Sequence, residues 1–235
     1  MGMSSKSVVL EYLASRGAEW TSLFDVPCGS GDFLEEVGRR HPGRKLLGAD
    51  IAAPERRGFD FIRFDASKDF PIPPAARFDV ITSISGVMEF DNTSGFIRNC
   101  LERLNEGGAL VVTNDNCFTV RDRLSYLLIG RLRRFPLLLE AGTPTYRHVP
   151  LQELCKIFYE QGLRLEKVRY VGFFPEDFLF LPLALLLYPL QLVHLLTRRS
   201  NVPRPERIRL FPFRSLLARH YVLFLSRVLD RGLKK

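Results

Sequence analysis

Over its first 115 residues the chain alternates short, continuously apolar runs with amphipathic stretches of helical length. Ser22–Val26, Lys45–Ile51, Phe61–Phe64, Phe78–Ser83 and Ala109–Thr113 read as strands. Ser7–Ser15, Asp32–Arg40 and Thr93–Leu104 read as helices, the last ended by Gly107–Gly108. A strand that is apolar at every position must be covered on both sides, and helices threaded between parallel strands provide that cover. The pattern predicts an α/β fold with a doubly wound sheet.

After Asn116 the texture changes. Residues 1–119 hold 13 Lys/Arg against 17 Asp/Glu and residues 120–235 hold 21 against 9, so the net charge of +8 arises entirely in the second half. Arg121–Leu139 is apolar and basic together, Pro150–Gln161 reads as a helix and Arg164–Val171 as a strand. Phe178–Leu196 then runs 19 residues without a formal charge, Arg198–Arg209 is a basic linker, and Phe213–Leu229 carries apolar residues at helical spacing. The expected organisation is a domain over 1–175 and an apolar, basic helical extension over 176–235.

As a helix, the uncharged run would reach just under the roughly 30 Å of a bilayer's hydrocarbon. Pro182, Pro189, Gln191 and His194 weaken a spanning helix and favour an interfacial or re-entrant one, with a span and a buried or dimer surface as alternatives. Arg198, Arg199, Arg204, Arg207 and Arg209 beside long aliphatic side chains point to an anionic membrane surface. Nucleic acid is disfavoured, because the arginines are not interleaved with polar groups and stacking aromatics. Deleting 178–235, with 11 Lys/Arg against 2 Asp/Glu, is expected to release the protein from lipid and to leave a pocket in residues 20–115 able to bind if the truncated domain stays folded. Cys28, Cys100, Cys117 and Cys155 lie far apart with no ligand spacing, which speaks against a disulfide framework or a metal site and for a reducing cytoplasm. No apolar leader follows Met1, and Lys6 breaks the myristoylation pattern.

The first strand runs into Asp25-Val26-Pro27-Cys28-Gly29-Ser30-Gly31-Asp32, a glycine loop that opens a helix. Glycine lacks a Cβ and tolerates positive φ, so such a loop lets backbone meet a ligand closely. Asp50 ends the second strand about 20 residues on, where an open α/β sheet presents a carboxylate to ribose hydroxyls. Asp65 ends the third. A dinucleotide is disfavoured, since Leu34 stands where a third glycine is needed and Asp25 and Asp32 would repel a diphosphate.

These motifs in this order resemble class I S-adenosylmethionine-dependent methyltransferases, in particular the broad group acting on quinones, lipids and sugars. DVPCGSGD is similar to the family's D-x-G-C-G-x-G loop, with Pro27 in place of a glycine. GADI resembles the ribose-binding strand end, FDA the adenine turn, FDVITSISGVMEF the fourth strand, and LERLNEGGALVVT the helix and fifth strand. The resemblance implies a Rossmann-like, seven-stranded, mostly parallel sheet and S-adenosylmethionine as cofactor. It implies backbone contacts from Gly29 and Gly31 to the methionyl part, with Cys28 and Ser30 also among the cofactor-binding residues and Asp25 ordering the loop or a water beside the ammonium. Asp50 would hold the ribose, Ile51, Asp65 and Ala66 the adenine, and the Ser83 region the ammonium.

Methyl transfer to a hydroxyl needs a proton acceptor. Many relatives carry His after the motif's Glu, whereas this chain has Glu89-Phe90. The candidate bases are Glu89, Asp115 and His148. Glu89 has a competing reading as the cap of the next helix, and His148 as a loop histidine. His41, His194 and His220 are poorer candidates. The expected function is methylation of a lipophilic acceptor (a lipid, isoprenoid quinone or lipid-linked sugar) by a cytoplasmic, peripherally membrane-associated enzyme. The alternatives are a soluble small-molecule O-methyltransferase with an apolar lid or dimer surface, and a cofactor-binding partner protein without catalysis.

Overall fold

A computed structural model describes residues 3–135, 137–138, 146–200 and 202–227. The chain forms two compact units. One comprises Ser5–Asn114, Arg147–Lys167 and Val222–Lys235, and the other Met1–Ser4, Asp115–Tyr146 and Val168–Tyr221. They are called the sheet unit and the arginine unit below.

The strands are β1 (Ser22–Asp25), β2 (Lys45–Asp50), β3 (Asp60–Arg63), β4 (Phe78–Ile84), β5 (Leu104–Asp115), β6 (Leu163–Val171) and β7 (His220–Arg227). They form one seven-stranded, mixed and mostly parallel sheet in the order β3-β2-β1-β4-β5-β7-β6. The pairs β1–β2, β2–β3, β1–β4 and β4–β5 are parallel. Helices α1 (Ser5–Ser15), α2 (Asp32–Arg40), α3 (Thr93–Glu102) and α5 (Leu151–Glu160) belong to the sheet unit. All four residues of β1 are buried, as a strand covered on both faces requires. Phe24 stacks on Phe78 with ring centres 5.1 Å apart and meets Phe70 edge-on.

Two elements differ from the sequence expectation. Gly107–Gly108 does not end a helix: α3 stops at Glu102, and β5 begins at Leu104. The glycines form an irregularity inside β5, where Phe78 pairs with Leu104 but Val80 pairs with Ala109. Gly107, at φ +70, supplies the left-handed residue that such a bulge uses.

The helix predicted over Phe213–Leu229 is also not formed. Phe213–Leu216 is a 3-10 turn, and the chain then enters β7; Val228 and Leu229 lie outside the described residues. Tyr221–Leu225 is buried at every position, and a short continuous apolar run fits a core strand as well as a buried helix by periodicity alone.

In the arginine unit, α4 (Val120–Ile129) is capped by Thr119, whose side chain accepts from the Asp122 N–H, and ends at Gly130 with φ +68. A 3-10 turn (Pro175–Phe180) leads into α6 (Leu181–Thr197), and α7 (Arg204–Leu210) follows. The Arg198–Arg209 linker is thus partly helical. Val120, Ala184, Leu216 and Leu217 form this unit's core, joined by Leu124, Leu181, Leu187 and Tyr188. The turn before α6 is held by charge. Arg219 Nη2 lies 2.8 Å from Asp177 Oδ1 and 2.7 Å from Glu176 Oε1, with the guanidinium over the Phe174 ring.

Because β7 lies between β5 and β6, a chain lacking 178–235 loses an interior strand and exposes two unpaired edges. The deletion spares the pocket only if the truncated domain stays folded, and the interior place of β7 argues against that condition. The truncated chain is expected to be insoluble or to lack a cooperative melting transition in circular dichroism; a cooperative transition at the wild-type temperature would contradict the placement of β7.

Candidate functional site

The strand order reverses at β1, with β2 on one side and β4 on the other, so the loops leaving β1 and β4 diverge and open a crevice at the strands' carboxyl ends. A cleft of about 190 Å³ lies there, lined by Lys6, Asp25, Pro27, Cys28, Gly29, Ser30, Asp32, Phe33, Asp50, Ile84, Ser85 and Glu89. Every one of these residues belongs to the sheet unit.

The glycine loop is pinned from both neighbouring strands. Val26 N–H donates to Thr82 O at 2.9 Å and Cys28 N–H to Ala49 O at 2.9 Å. Asp50 holds the tip: Oδ2 accepts from Gly29 N–H at 2.8 Å and Oδ1 from Ala52 N–H at 3.2 Å. A carboxylate has about four acceptor sites, so the two hydroxyls of a ribose can still be accepted. Gly29 sits at φ +53, and a Cβ built there meets nothing within 4 Å, which is the room a ligand would take. Gly31 plays another part: at φ +83 it is the N-cap of α2, and a Cβ would come within 2.6 Å of the Phe59 ring.

Departures from familiar glycine loops are compensated nearby. Leu34, at the position of a dinucleotide motif's third glycine, packs over Gly48, where an added Cβ would lie 2.8 Å from Leu34 Cδ1. Helix and strand still approach closely, with the small residue on the strand instead of the helix. Pro27 is likewise matched by Gly86, whose Cβ would lie 2.2 Å from the proline ring. Ser85, with φ 62, is the one non-glycine residue with positive φ among the described residues. Its N–H is held by Thr113 Oγ1 at 2.9 Å. Such strained backbone tends to gather at functional sites.

The cleft is acidic, with Asp25, Asp32, Asp50 and Glu89 against Lys6. Asp25 is fully buried, and desolvation raises its carboxyl to about 7, against the lowering effect of the 2.5 Å bond donated by Thr82 Oγ1. Lys6 Nζ bonds both oxygens of Asp32 at 2.7–2.8 Å, and Ser30 Oγ donates to the same group. That hydrogen bonding holds the Asp32 carboxyl below the usual range. Burial pushes the Cys28 thiol up to about 12, so it is a packing group rather than a nucleophile. An open-sided ribose carboxylate, a Cβ-free loop tip and negative charge suit a nucleoside bearing positive charge, as S-adenosylmethionine does.

Of the expected cofactor residues, Asp25, Cys28, Gly29, Ser30 and Asp50 meet in this cleft; Gly31, Ile51, Asp65, Ala66 and Ser83 do not line it. Ile51 is 64% exposed on the turn after Asp50. Asp65 closes a turn by accepting from the Ser67 N–H and hydroxyl, and Ala66 is buried. Ser83 is fully buried, its hydroxyl has no partner, and the following Ile84 and Ser85 face the cleft instead. Lys6, Pro27, Phe33, Ile84 and Ser85 were not anticipated as site residues.

Among the candidate bases, Glu89 lines the cleft. The cap of α3 is Asn92, whose side chain accepts from Gly95 N–H, so the capping role belongs to another residue. His148 follows Arg147, whose N–H donates to Met88 O at 2.8 Å and whose guanidinium pairs with Asp91, so its segment is tied to the Glu89 turn. Desolvation lowers the His148 imidazole below its ordinary value, against the opposing effect of Glu153. Asp115 lies in the arginine unit, bonded by Arg134 and 2.6 Å from His220 Nδ1; these partners hold its carboxyl at about 2 despite burial. A carboxylate so committed is a weak base.

The fold is a Rossmann-like α/β sheet, and the cleft at its switch point has room and charge suited to a cationic nucleoside. A family model described as "Methyltransferase domain" matches residues 7–168, and the chain belongs to that family as an S-adenosylmethionine-dependent methyltransferase. Among solved structures, an S-adenosylmethionine-dependent methyltransferase from Archaeoglobus fulgidus is 15% identical, with a TM-score of 0.58 and 95% of each chain covered. The magnesium protoporphyrin IX methyltransferase from Synechocystis PCC 6803, solved with bound SAH, is 12% identical, with a TM-score of 0.55, 95% of this chain and 82% of that chain covered. A [4+2]-cyclase, SpnF, is 17% identical with a TM-score of 0.54, covering 94% of this chain and 80% of that one. No curated protein matches the chain at a significant level.

Asp50→Ala is expected to weaken S-adenosylmethionine binding by at least about 2 kcal/mol in calorimetry, through two lost charge-assisted hydrogen bonds and a freed loop tip. Gly29→Val should abolish binding, and unchanged affinity in either variant would contradict the site. Asp25 also makes binding pH-dependent. Its folded carboxyl is raised, so the neutral form predominates below about 7, and a cation bound nearby favours ionisation. Affinity should rise as pH increases through 7, with proton release on binding, and Asp25→Asn should remove both effects. For the fold the sign is opposite: Asp25 makes stability fall as pH rises from the unfolded value toward 7.

Proposed function

We propose that the enzyme methylates a hydroxyl on a lipophilic acceptor, a lipid, isoprenoid quinone or lipid-linked sugar, at the cytoplasmic face of a membrane. The supporting observation is the uncovered apolar surface of the arginine unit: Phe178, Leu179, Leu185, Leu186, Leu190 and Val193 are all exposed. Exposed apolar residues gathered in one unit point to an interaction site, and the arginines around them favour lipid or a lipid-like molecule over a protein partner.

S-adenosylmethionine supplies a methyl group on a sulfonium, which needs alignment with the acceptor and, for a hydroxyl, removal of one proton. Glu89 is an exposed carboxylate of the cleft and can take that proton, whereas Asp32, also exposed, is bonded by Lys6; Asp50 and the Gly29 backbone fix the nucleoside. His148, on the segment bonded to Met88, is the second candidate base.

Incubating the protein with isotopically labelled S-adenosylmethionine and fractionated lipid extracts should place label in an apolar fraction, with a mass gain of one methylene. Label found only in water-soluble acceptors would overturn the reading. With the acceptor in hand, Glu89→Gln should lower kcat by about 10²-fold at unchanged cofactor affinity. A loss on His148→Ala instead would move the base to the imidazole.

A further inference from the structure

We infer that the arginine unit carries a monotopic anchor: the outer face of α6, the turn before it and the projecting end of α4 enter one leaflet of an anionic phospholipid bilayer, and α6 lies in the plane of that leaflet. The inference rests on the lipophilic-acceptor reading above and adds how the protein meets its membrane.

Pro175–Thr197 is long and apolar enough to cross a bilayer by length and composition alone. Its packing gives it another role. One side of α6 is used up within the unit, where Ala184 is fully buried and Leu181, Leu183, Leu187 and Tyr188 pack against Val120, Leu216 and Leu217. Gln191 Oε1 on α6 accepts from Arg123 Nη2 on α4 at 2.9 Å. Beyond α6, Arg207 donates to Leu195 O, Arg198 O, Ser200 O and Val202 O, folding α7 back toward the end of α6. A spanning helix would have to surrender these contacts and place Gln191 among acyl chains, whereas a helix lying in the interface keeps them and offers lipid only its outer leucines.

A second, separate element points the same way. Tyr126, Leu127, Leu128 and Ile129 are 62%, 78%, 76% and 55% exposed. Four consecutive helical residues cover the whole circumference, so the last turn of α4 projects as an apolar peg with water on every side. Leu137 and Leu138 are exposed too. Each is a hydrophobic group that a water-facing surface would not retain together with its neighbours, and none of them was anticipated by the 178–235 boundary.

Charge selects the occupant. Asp115–Tyr146 and Val168–Tyr221 hold thirteen arginines and no lysine against six carboxylates. Arg131, immediately after the α4 peg, and Arg198, Arg199 and Arg204, after α6, are exposed. A guanidinium fork matches two phosphate oxygens at once, so this unit is built to sit on phosphodiester headgroups with its leucines below them.

The test uses the full chain and sealed, preformed vesicles of phosphatidylcholine with phosphatidylglycerol. The protein should co-float without detergent, and phosphatidylcholine alone or high salt should reduce binding more than about tenfold. Leu127→Asp/Leu128→Asp and Leu185→Asp/Leu186→Asp, on different elements, should each reduce it more than about tenfold while calorimetric S-adenosylmethionine affinity, reporting an intact fold, stays unchanged. In a Cys155→Ser background, Lys167→Cys and Ser200→Cys, exposed positions before and after the segment that enters the leaflet, should both react with a membrane-impermeant maleimide added outside. Protection of one of the two would show a spanning helix and overturn the inference, as would flotation that survives both double substitutions. Failure of the wild type to float, with elution as a dimer, would assign the face to a second copy. Flotation without methyl transfer to any lipid fraction would leave the anchor standing and refute the acceptor reading; transfer to detergent-dispersed lipid without flotation would do the reverse.

Discussion

The site exists because β1 has parallel neighbours on both sides. A chain that leaves β1 for β2 must travel over one face of the sheet, and the chain that leaves β4 travels over the other, so the two loops part and backbone N–H groups are left at the strand ends. The remaining features of the cleft answer that gap. Asp50 draws the Gly29 N–H across it, Thr82 reaches Asp25 at its floor, and Ser85 accepts a strained backbone to turn away from it. Without the reversal of strand order, these groups would be ordinary loop residues.

Close packing around the loop is kept by moving glycines rather than by keeping a fixed motif. Gly48 receives Leu34, and Gly86 receives the Pro27 ring. At each contact a bulky residue on one element is accompanied by hydrogen on its partner, so the two volumes fit together. The same economy appears in the arginine unit, where Arg219 serves Asp177, Glu176 and the Phe174 ring at once and fixes the turn from which α6 departs.

Most of the sheet was legible because its information is local. Apolar runs and glycine punctuation located β1 to β4 and α2 within a residue or two, and the loop with Asp50 located the cleft. Lys6 was not legible: nothing in Ser5–Ser15 marks it as a cleft residue, and only tertiary packing brings it to Asp32. Ser85 carries no residue-type signal for its positive φ, since serine rarely adopts it. Tyr221–Leu225 was misread because a fully buried strand and a buried helix have the same uniform apolarity, and the choice is made by the gap between β5 and β6 that it fills. Asp115 was visible as an acid at a strand end, but its pairing with Arg134 and His220 depends on segments far away in sequence.

That gap has a consequence for how the molecule comes into being. Of the seven strands described, β7 comes last in sequence yet lies inside the sheet, between two strands made before it. On a ribosome, β5 and β6 therefore emerge without the neighbour that joins them, and the five-strand half from β3 to β5 can assemble while its open edge waits. Joining that edge needs pairing between residues more than a hundred positions apart, which is slow because a long loop must close before any contact rewards it. Until then the exposed edge of β5 is a surface that a chaperone, or another nascent copy, can occupy.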